Sequence, residues 1–109
     1  MHTQLDLFHH VSGDFSRMLT KKYSTSFSLA IRLLAPEIRQ DIYNIYGFVR
    51  MADEIVDTFH DYPKEYLLNR IEEDVHHAIR NGISVNPALN SFQKTVRQYS
   101  IPNDLIDDF

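Results

Sequence analysis

Residues 36–57 read PEIRQDIYNIYGFVRMADEIVD, from Pro36 to Asp57, and their spacing decides the fold. Pro36 suits the first turn of a helix, where its missing N–H leaves no bond unmade. Stepping about 100° per residue gathers Ile38, Ile45, Val49 and Val56 in one apolar sector. Beside it, within an arc of roughly 60°, lie Tyr46, Arg50, Asp53 and Asp57, spaced four, three and four. Gln40, Asn44 and Gly47 fall away from both groups. The pattern predicts one long helix whose aspartates border its buried side.

Working outward, the apolar spacing stays helical. Leu68, Ile71, Val75, Ala78 and Ile79 form one stripe, and Leu89, Phe92, Val96 and Tyr99 form another. Phe15, Met18, Leu19 and Lys22 share helical spacing, and Phe27, Leu29, Ala30, Leu33 and Leu34 are dense enough for a mostly buried segment. Asn86–Pro87 reads as a cap followed by a helix starter. Gly82 follows VHHAIRN, where a left-handed terminal residue is expected. Helices are predicted at about 12–22, 25–34, 36–60, 64–81, 87–100 and from 103 onward. Valine and isoleucine do not alternate with polar residues over any strand-like length, so the fold class is all-α.

The composition agrees: 43% hydrophobic, 24% charged, and only three glycines and four prolines in 109 residues. That length suits one small domain. A formal net charge of −4 gives no basic surface for nucleic acid or an anionic membrane. With no cysteine there is no disulfide, thiol nucleophile or thiolate metal site. The opening MHTQLDLFHH has no basic region followed by a long apolar run, and no apolar stretch approaches the ~20 residues that span a bilayer. A cytoplasmic protein is expected.

Two carboxylates one helical turn apart repel, and burial sharpens the repulsion. Asp53 and Asp57 therefore call for positive charge. Arg50, one turn before Asp53, supplies some of it, and a divalent cation would supply more. Mg²⁺ takes oxygen ligands, and is commonly held by one or two carboxylates together with substrate phosphates. Arginine grips phosphate oxygens in a bidentate fork. The pair with its arginine and Tyr46 thus reads as a diphosphate–Mg²⁺ clamp. The competing reading is an ordinary solvated, salt-bridged helix face.

The neighbouring residues favour the clamp. YSTSFSLAIRLL from Tyr23, a proline, Arg39 and IYNIYGFVRMADEIVD together resemble the amino-terminal portion of the phytoene/squalene synthase family. The resemblance is close from Tyr23 to Asp57, and the helices through Phe109 agree in order and length. It implies an isoprenoid-synthase-type helical bundle that condenses two prenyl diphosphates, farnesyl or geranylgeranyl, head to head through a cyclopropylcarbinyl diphosphate. It implies that Asp53 and Asp57 hold Mg²⁺ bridged to the substrate diphosphate, with Arg50 and Tyr46 binding that diphosphate. It implies further that Tyr23, Ser24, Thr25 and Ser26 meet the phosphate end, and that Phe27 walls the pocket beside the prenyl chain. Ile31 stands where some members carry an aromatic, which leaves substrate chain length open. The product branch and any NADPH-dependent step are open as well. So apolar a product implies peripheral membrane contact for the full-length enzyme.

The family's second aspartate-rich motif belongs to a later helix. Asp104, Asp107 and Asp108 come too early for it and read as a capped, solvated helix start. Residues 1–109 are thus expected to be an amino-terminal fragment of a single prenyl synthase domain, inactive alone. Its apolar patch of Phe27, Ile31, Ile42 and Val49 is expected to promote self-association. Two other readings stand beside this one. A helical interaction module would use the acidic face as a partner surface. An HD-type metal phosphohydrolase would use His60–Asp61. His2, His9, His10, His76 and His77 read as surface residues, since adjacent histidines on a helix point apart.

Overall fold

The computed structural model describes residues 3–107, and six helices run through them: α1 (Gln4–Tyr23), α2 (Thr25–Ile31), α3 (Pro36–Asp57), α4 (Lys64–Asn81), α5 (Pro87–Tyr99) and α6 (Asn103–Asp107). There is no strand among the described residues, so the expected all-α class holds. Helix α1 begins at Gln4, well before the expected start near residue 12. Thr3 Oγ1 accepts from the Asp6 N–H at 3.0 Å, and the Asp6 carboxylate accepts from the Thr3 N–H at 3.1 Å. This reciprocal capping box satisfies two otherwise orphaned donors, and its hydrogen bonds hold the Asp6 carboxyl below the usual aspartate range.

The other ends follow local chemistry. Ser24 Oγ accepts from the Phe27 N–H at 3.1 Å and starts α2. That helix ends at Ile31, short of residue 34. Arg39 reaches back to bond the carbonyls of Leu34 and Arg32, both at 3.0 Å, which stabilises the turn into α3. Asn86 Oδ1 accepts from the N–H groups of Ala88 and Leu89, with Pro87 in the first turn of α5. Gly82 closes α4 with φ 71°, the left-handed conformation its place in the sequence predicts.

Two unlike interfaces hold the helices. Between α3, α4, α5 and α6, Phe48, Val75, Ala78, Leu89, Phe92, Val96 and Ile106 form a buried apolar cluster. Phe48 and Phe92 stack at its centre, with ring centroids 4.3 Å apart. The seam joining α1 to α3 and α5 is polar and small instead. Ser12, Ser16 and Thr20 are the buried residues of α1. Ser16 Oγ bonds Ser91 Oγ. Ser12 Oγ accepts from Asn90 Nδ2 at 3.1 Å. A β-carbon at Gly47 would sit 3.0 Å from Ser16 Cβ and 3.1 Å from Ser16 Cα, so the absence of a side chain there lets α1 reach α3.

This seam corrects the orientation of α3. Its buried residues are Tyr43, Asn44, Gly47, Phe48 and Ile55. Ile38 is 39% exposed and Val56 50% exposed, although the apolar count placed them inside. Asn44 tolerates burial because its amide donates to Thr95 Oγ1 at 3.0 Å and accepts from Gln40 Nε2 at 2.8 Å. A second correction concerns Ile31, expected on an open apolar patch but only 1% exposed. Open apolar surface lies instead along α1, at Leu7, Val11 and Met18, and at Leu29 and Leu33. No helix among the described residues is long and apolar enough to cross a membrane.

Helix propensity alone says that Gly47→Ala should stabilise the protein by about 1 kcal/mol. The seam reverses the sign. The new methyl would meet the Ser16 backbone, which no rotamer change can move, and overpacking of this kind costs about 1–3 kcal/mol. Net destabilisation in urea denaturation is the expected outcome; a stabilised variant would show that the seam is loose.

Tyr99 donates its hydroxyl to the Asp41 carboxylate at 2.7 Å, and that bond raises the tyrosine above its usual range near 10. The neutral phenol is the form that folding favours. Its contribution is therefore complete below pH ~10 and lost as pH rises through the elevated folded value. Phenolate absorbance should show one tyrosine of Asp41→Asn titrating at lower pH than in the parent, a change that vanishes when Tyr99→Phe is added.

Candidate functional site

The seam delivers one face of α3 to the α1–α2 junction. Tyr46 precedes Gly47, so it lies at the level where the helices come closest, and its ring stacks on Phe27 with centroids 4.7 Å apart and planes 27° apart. One turn on, the Arg50 guanidinium carbon lies 4.5 Å from the centroid of the Tyr23 ring. The ring's negative face attracts the cation, worth about 0.5–1 kcal/mol where solvent reaches. Residues 23–27 and the Tyr46–Arg50 ridge thus form one continuous surface, two aromatic contacts deep.

The carboxylates divide differently from what the spacing predicts. Arg50 was expected to offset Asp53. It bonds Glu54 through Nη2, and its Nη1 lies 3.7 Å from Asp57 Oδ2. Arg50 and Glu54 are largely shielded, with side chains 23% and 19% exposed, whereas the Asp57 side chain is 62% exposed. Asp53 is exposed and has no ion-pair partner among the described residues. It also lines a cavity of about 310 Å³ walled by Val49 and Ala52 of α3 and Leu68 and Ile71 of α4. Asp57 lies on open surface, whereas Asp53, itself exposed, borders the apolar cavity between α3 and α4. Helices α1 and α5 approach α3 on its Asn44 and Gly47 side, and α4 on its Phe48, Val49 and Ala52 side.

Glu54 is the participant that the first reading missed. Its signal was present in the sequence: it follows Arg50 by four residues, the spacing at which opposite charges meet on a helix. Of the other candidates, Ser24 spends its hydroxyl on the α2 cap, while Thr25 and Ser26 are exposed in the first turn. Three carboxylates, Asp53, Glu54 and Asp57, against the Arg50 guanidinium leave a local excess of negative charge.

The histidines do not gather at this face. Lys64 Nζ lies 3.0 Å from His60 Nδ1 and donates to the ring nitrogen a metal would need, and no metal-ligating group among the described residues includes His60. His9 Nδ1 lies 3.0 Å from Asn90 Nδ2. His10 pairs with Asp14 at 3.5 Å, and His77 is exposed. Asp104 lies in the first turn of α6, and Asp107 is exposed, as expected, and also bonds His76 at 2.8 Å. His2 and Asp108 lie outside the described residues.

Comparison with protein-family models matches residues 20–109 to a family described as squalene/phytoene synthase. Neither the curated proteins nor the solved structures provided a match.

The shielding difference makes a stability contrast. Glu54→Gln leaves a half-buried guanidinium short of its counter-charge and should cost about 1–3 kcal/mol in chemical denaturation. Asp57→Asn, at a longer and more open contact, should stay within about 0.5 kcal/mol. Equal effects would mean that both pairs are solvated alike.

Proposed function

The chain belongs to the squalene/phytoene synthase family, and from that premise we propose that the Arg50 ridge is the diphosphate-binding face of a head-to-head prenyltransferase. The substrates are prenyl diphosphates, farnesyl or geranylgeranyl, and the reaction joins two of them through a cyclopropylcarbinyl diphosphate in carotenoid-type isoprenoid biosynthesis. The observation that carries this reading is the contact of Arg50 with Tyr23 and of Tyr46 with Phe27. It brings a guanidinium, two phenols and an aromatic wall onto one surface.

Each group has a physical role in that reading. Arg50 is the phosphate anchor, and Glu54 and Asp57 now occupy its donors as anionic stand-ins for phosphate oxygens. Tyr23 holds the guanidinium plane from behind. Tyr46 binds the diphosphate beside Arg50 with its ring stacked on Phe27, and Phe27 walls the pocket along the prenyl end, limiting the water that would quench a carbocation. The donor set of Asp53 and Asp57 suits Mg²⁺: hard carboxylate oxygens, one turn apart and exposed, with more negative charge than Arg50 neutralises. When bound, the ion would stabilise negative charge on the departing diphosphate. Without it, the same carboxylates repel the substrate.

That repulsion provides the test. Binding of inorganic diphosphate to the chain is measured by calorimetry with and without Mg²⁺. Asp53→Asn and Asp57→Asn should weaken binding when Mg²⁺ is present and strengthen it when Mg²⁺ is absent. Arg50→Gln should weaken it in both conditions by about 10–100-fold, the worth of a charged hydrogen bond. Unchanged binding in all three variants would remove the proposal. By themselves these residues should give no head-to-head product from a prenyl diphosphate and Mg²⁺.

A further inference from the structure

At the junction of α4 and α6, Glu72, His76 and Asp107 each direct one ligand atom into a common space, all within 4.8 Å of one another. We infer that these three side chains form a binding site for a divalent transition-metal ion of the Zn²⁺ type, separate from the Asp53–Asp57 pair. Glu72 and His76 are four apart on α4 and so share a face, and α6 brings Asp107 up to that face. His76 Nε2 and Asp107 Oδ1 are already 2.8 Å apart.

The donor set selects the metal. One imidazole and two carboxylates suit Zn²⁺ and its first-row neighbours, whereas Mg²⁺ prefers an all-oxygen shell. Three protein ligands leave a fourth tetrahedral position for water or an anion. Ligand atoms about 2.1 Å from zinc stand about 3.4 Å apart, so His76 and Asp107 need to part slightly from 2.8 Å while Glu72 stays within a short reach of both. Glu72 and Asp107 are exposed and His76 is half-buried, which leaves them free to do so. Zinc would take the place of the proton between His76 Nε2 and Asp107, which shifts to Nδ1 of a neutral ring or leaves to solvent from an imidazolium.

Charge points the same way. The cavity of about 310 Å³ beside the triad is lined by Asp53, Glu72 and Asp107, with His76 as the one basic side chain among its lining residues. Glu72 has no ion-pair or hydrogen-bond partner among the described residues, so its carboxylate is not committed to holding the fold. Ile106, 5% exposed, packs α6 into the apolar cluster directly before Asp107. A bound ion would therefore lock α6 onto α4 across the cavity mouth.

Zinc titrated into the chain by calorimetry, in a large excess of Mg²⁺, should bind one ion per chain and raise the melting temperature in a concentration-dependent way. Glu72→Gln keeps the side-chain shape and breaks no recorded contact, so it should fold as the parent does. It should lose at least about tenfold in zinc affinity, since even outer-shell partners of a ligand cost 10–100-fold. His76→Ala should lose more, and a melt taken without metal checks its fold. His10→Ala and His60→Ala should bind zinc like the parent. Displacement by Mg²⁺, parental affinity in Glu72→Gln, or loss of binding in the His10 or His60 variant would each overturn the assignment. None of these results depends on diphosphate binding, so the two proposals stand or fall separately.

Discussion

Gly47 meets Ser16 so closely that a β-carbon there would stand 3.0 Å from Ser16 Cβ, tighter than ordinary packing, and the architecture on that side of the molecule follows from this contact. Helices whose surfaces carry large side chains keep their axes 8–10 Å apart; small residues let them come closer. Here the small residues are Ser12, Ser16 and Thr20 on one side and Gly47, Ala88 and Ser91 on the other. Buried hydroxyls need partners, and they find them in Asn90, Ser91 and main-chain carbonyls. The seam is thus specified by hydrogen-bond geometry as much as by burial. A sliding or rotation of α1 would break the bonds that cross the seam, Ser16 to Ser91 and Asn90 to Ser12, each worth about 0.5–1.5 kcal/mol.

The functional face inherits its precision from that seam. Tyr46 is the residue before Gly47 and Arg50 lies one turn later, so neither can move relative to α1 without disturbing the close contact. Tyr23 ends α1, and Ser24 then turns the chain into α2 by capping it. The aromatic partners of Arg50 and Tyr46 are therefore placed by a helix end and a cap, two features with little freedom. The acidic side of the same ridge is the opposite case. It lies open, its charges are only partly neutralised, and its arrangement is free to change with whatever cation or phosphate it meets.

Much of the fold was legible because its signals are local. Asn86–Pro87, Gly82 and the stripe Leu89, Phe92 and Val96 need only neighbours in the chain to act, and each behaves as its spacing implies. The exceptions have physical causes. The start of α1 was hidden because Thr3 and Asp6 make a capping box with aspartate in place of the commoner glutamate or glutamine. Tyr99, counted with the apolar stripe of α5, is 51% exposed because its hydroxyl reaches Asp41. The buried face of α1 was unreadable by hydropathy, since serine and threonine carry it while Leu7, Val11 and Met18 face outward.

The amino-acid sequence alone determined that this is a helical protein, where most of its helices stop, and that Tyr46, Arg50, Asp53 and Asp57 share a ridge. Those properties depend on backbone periodicity and on caps a few residues away. Only the tertiary structure decided which side of α3 is buried, that Arg50 stands over Tyr23 of α1, and that Asp107 of α6 meets His76 of α4. The first two turn on how closely α1 approaches α3 at Gly47 and Ser16, and the last on Ile106, which packs α6 into the apolar cluster beside α4.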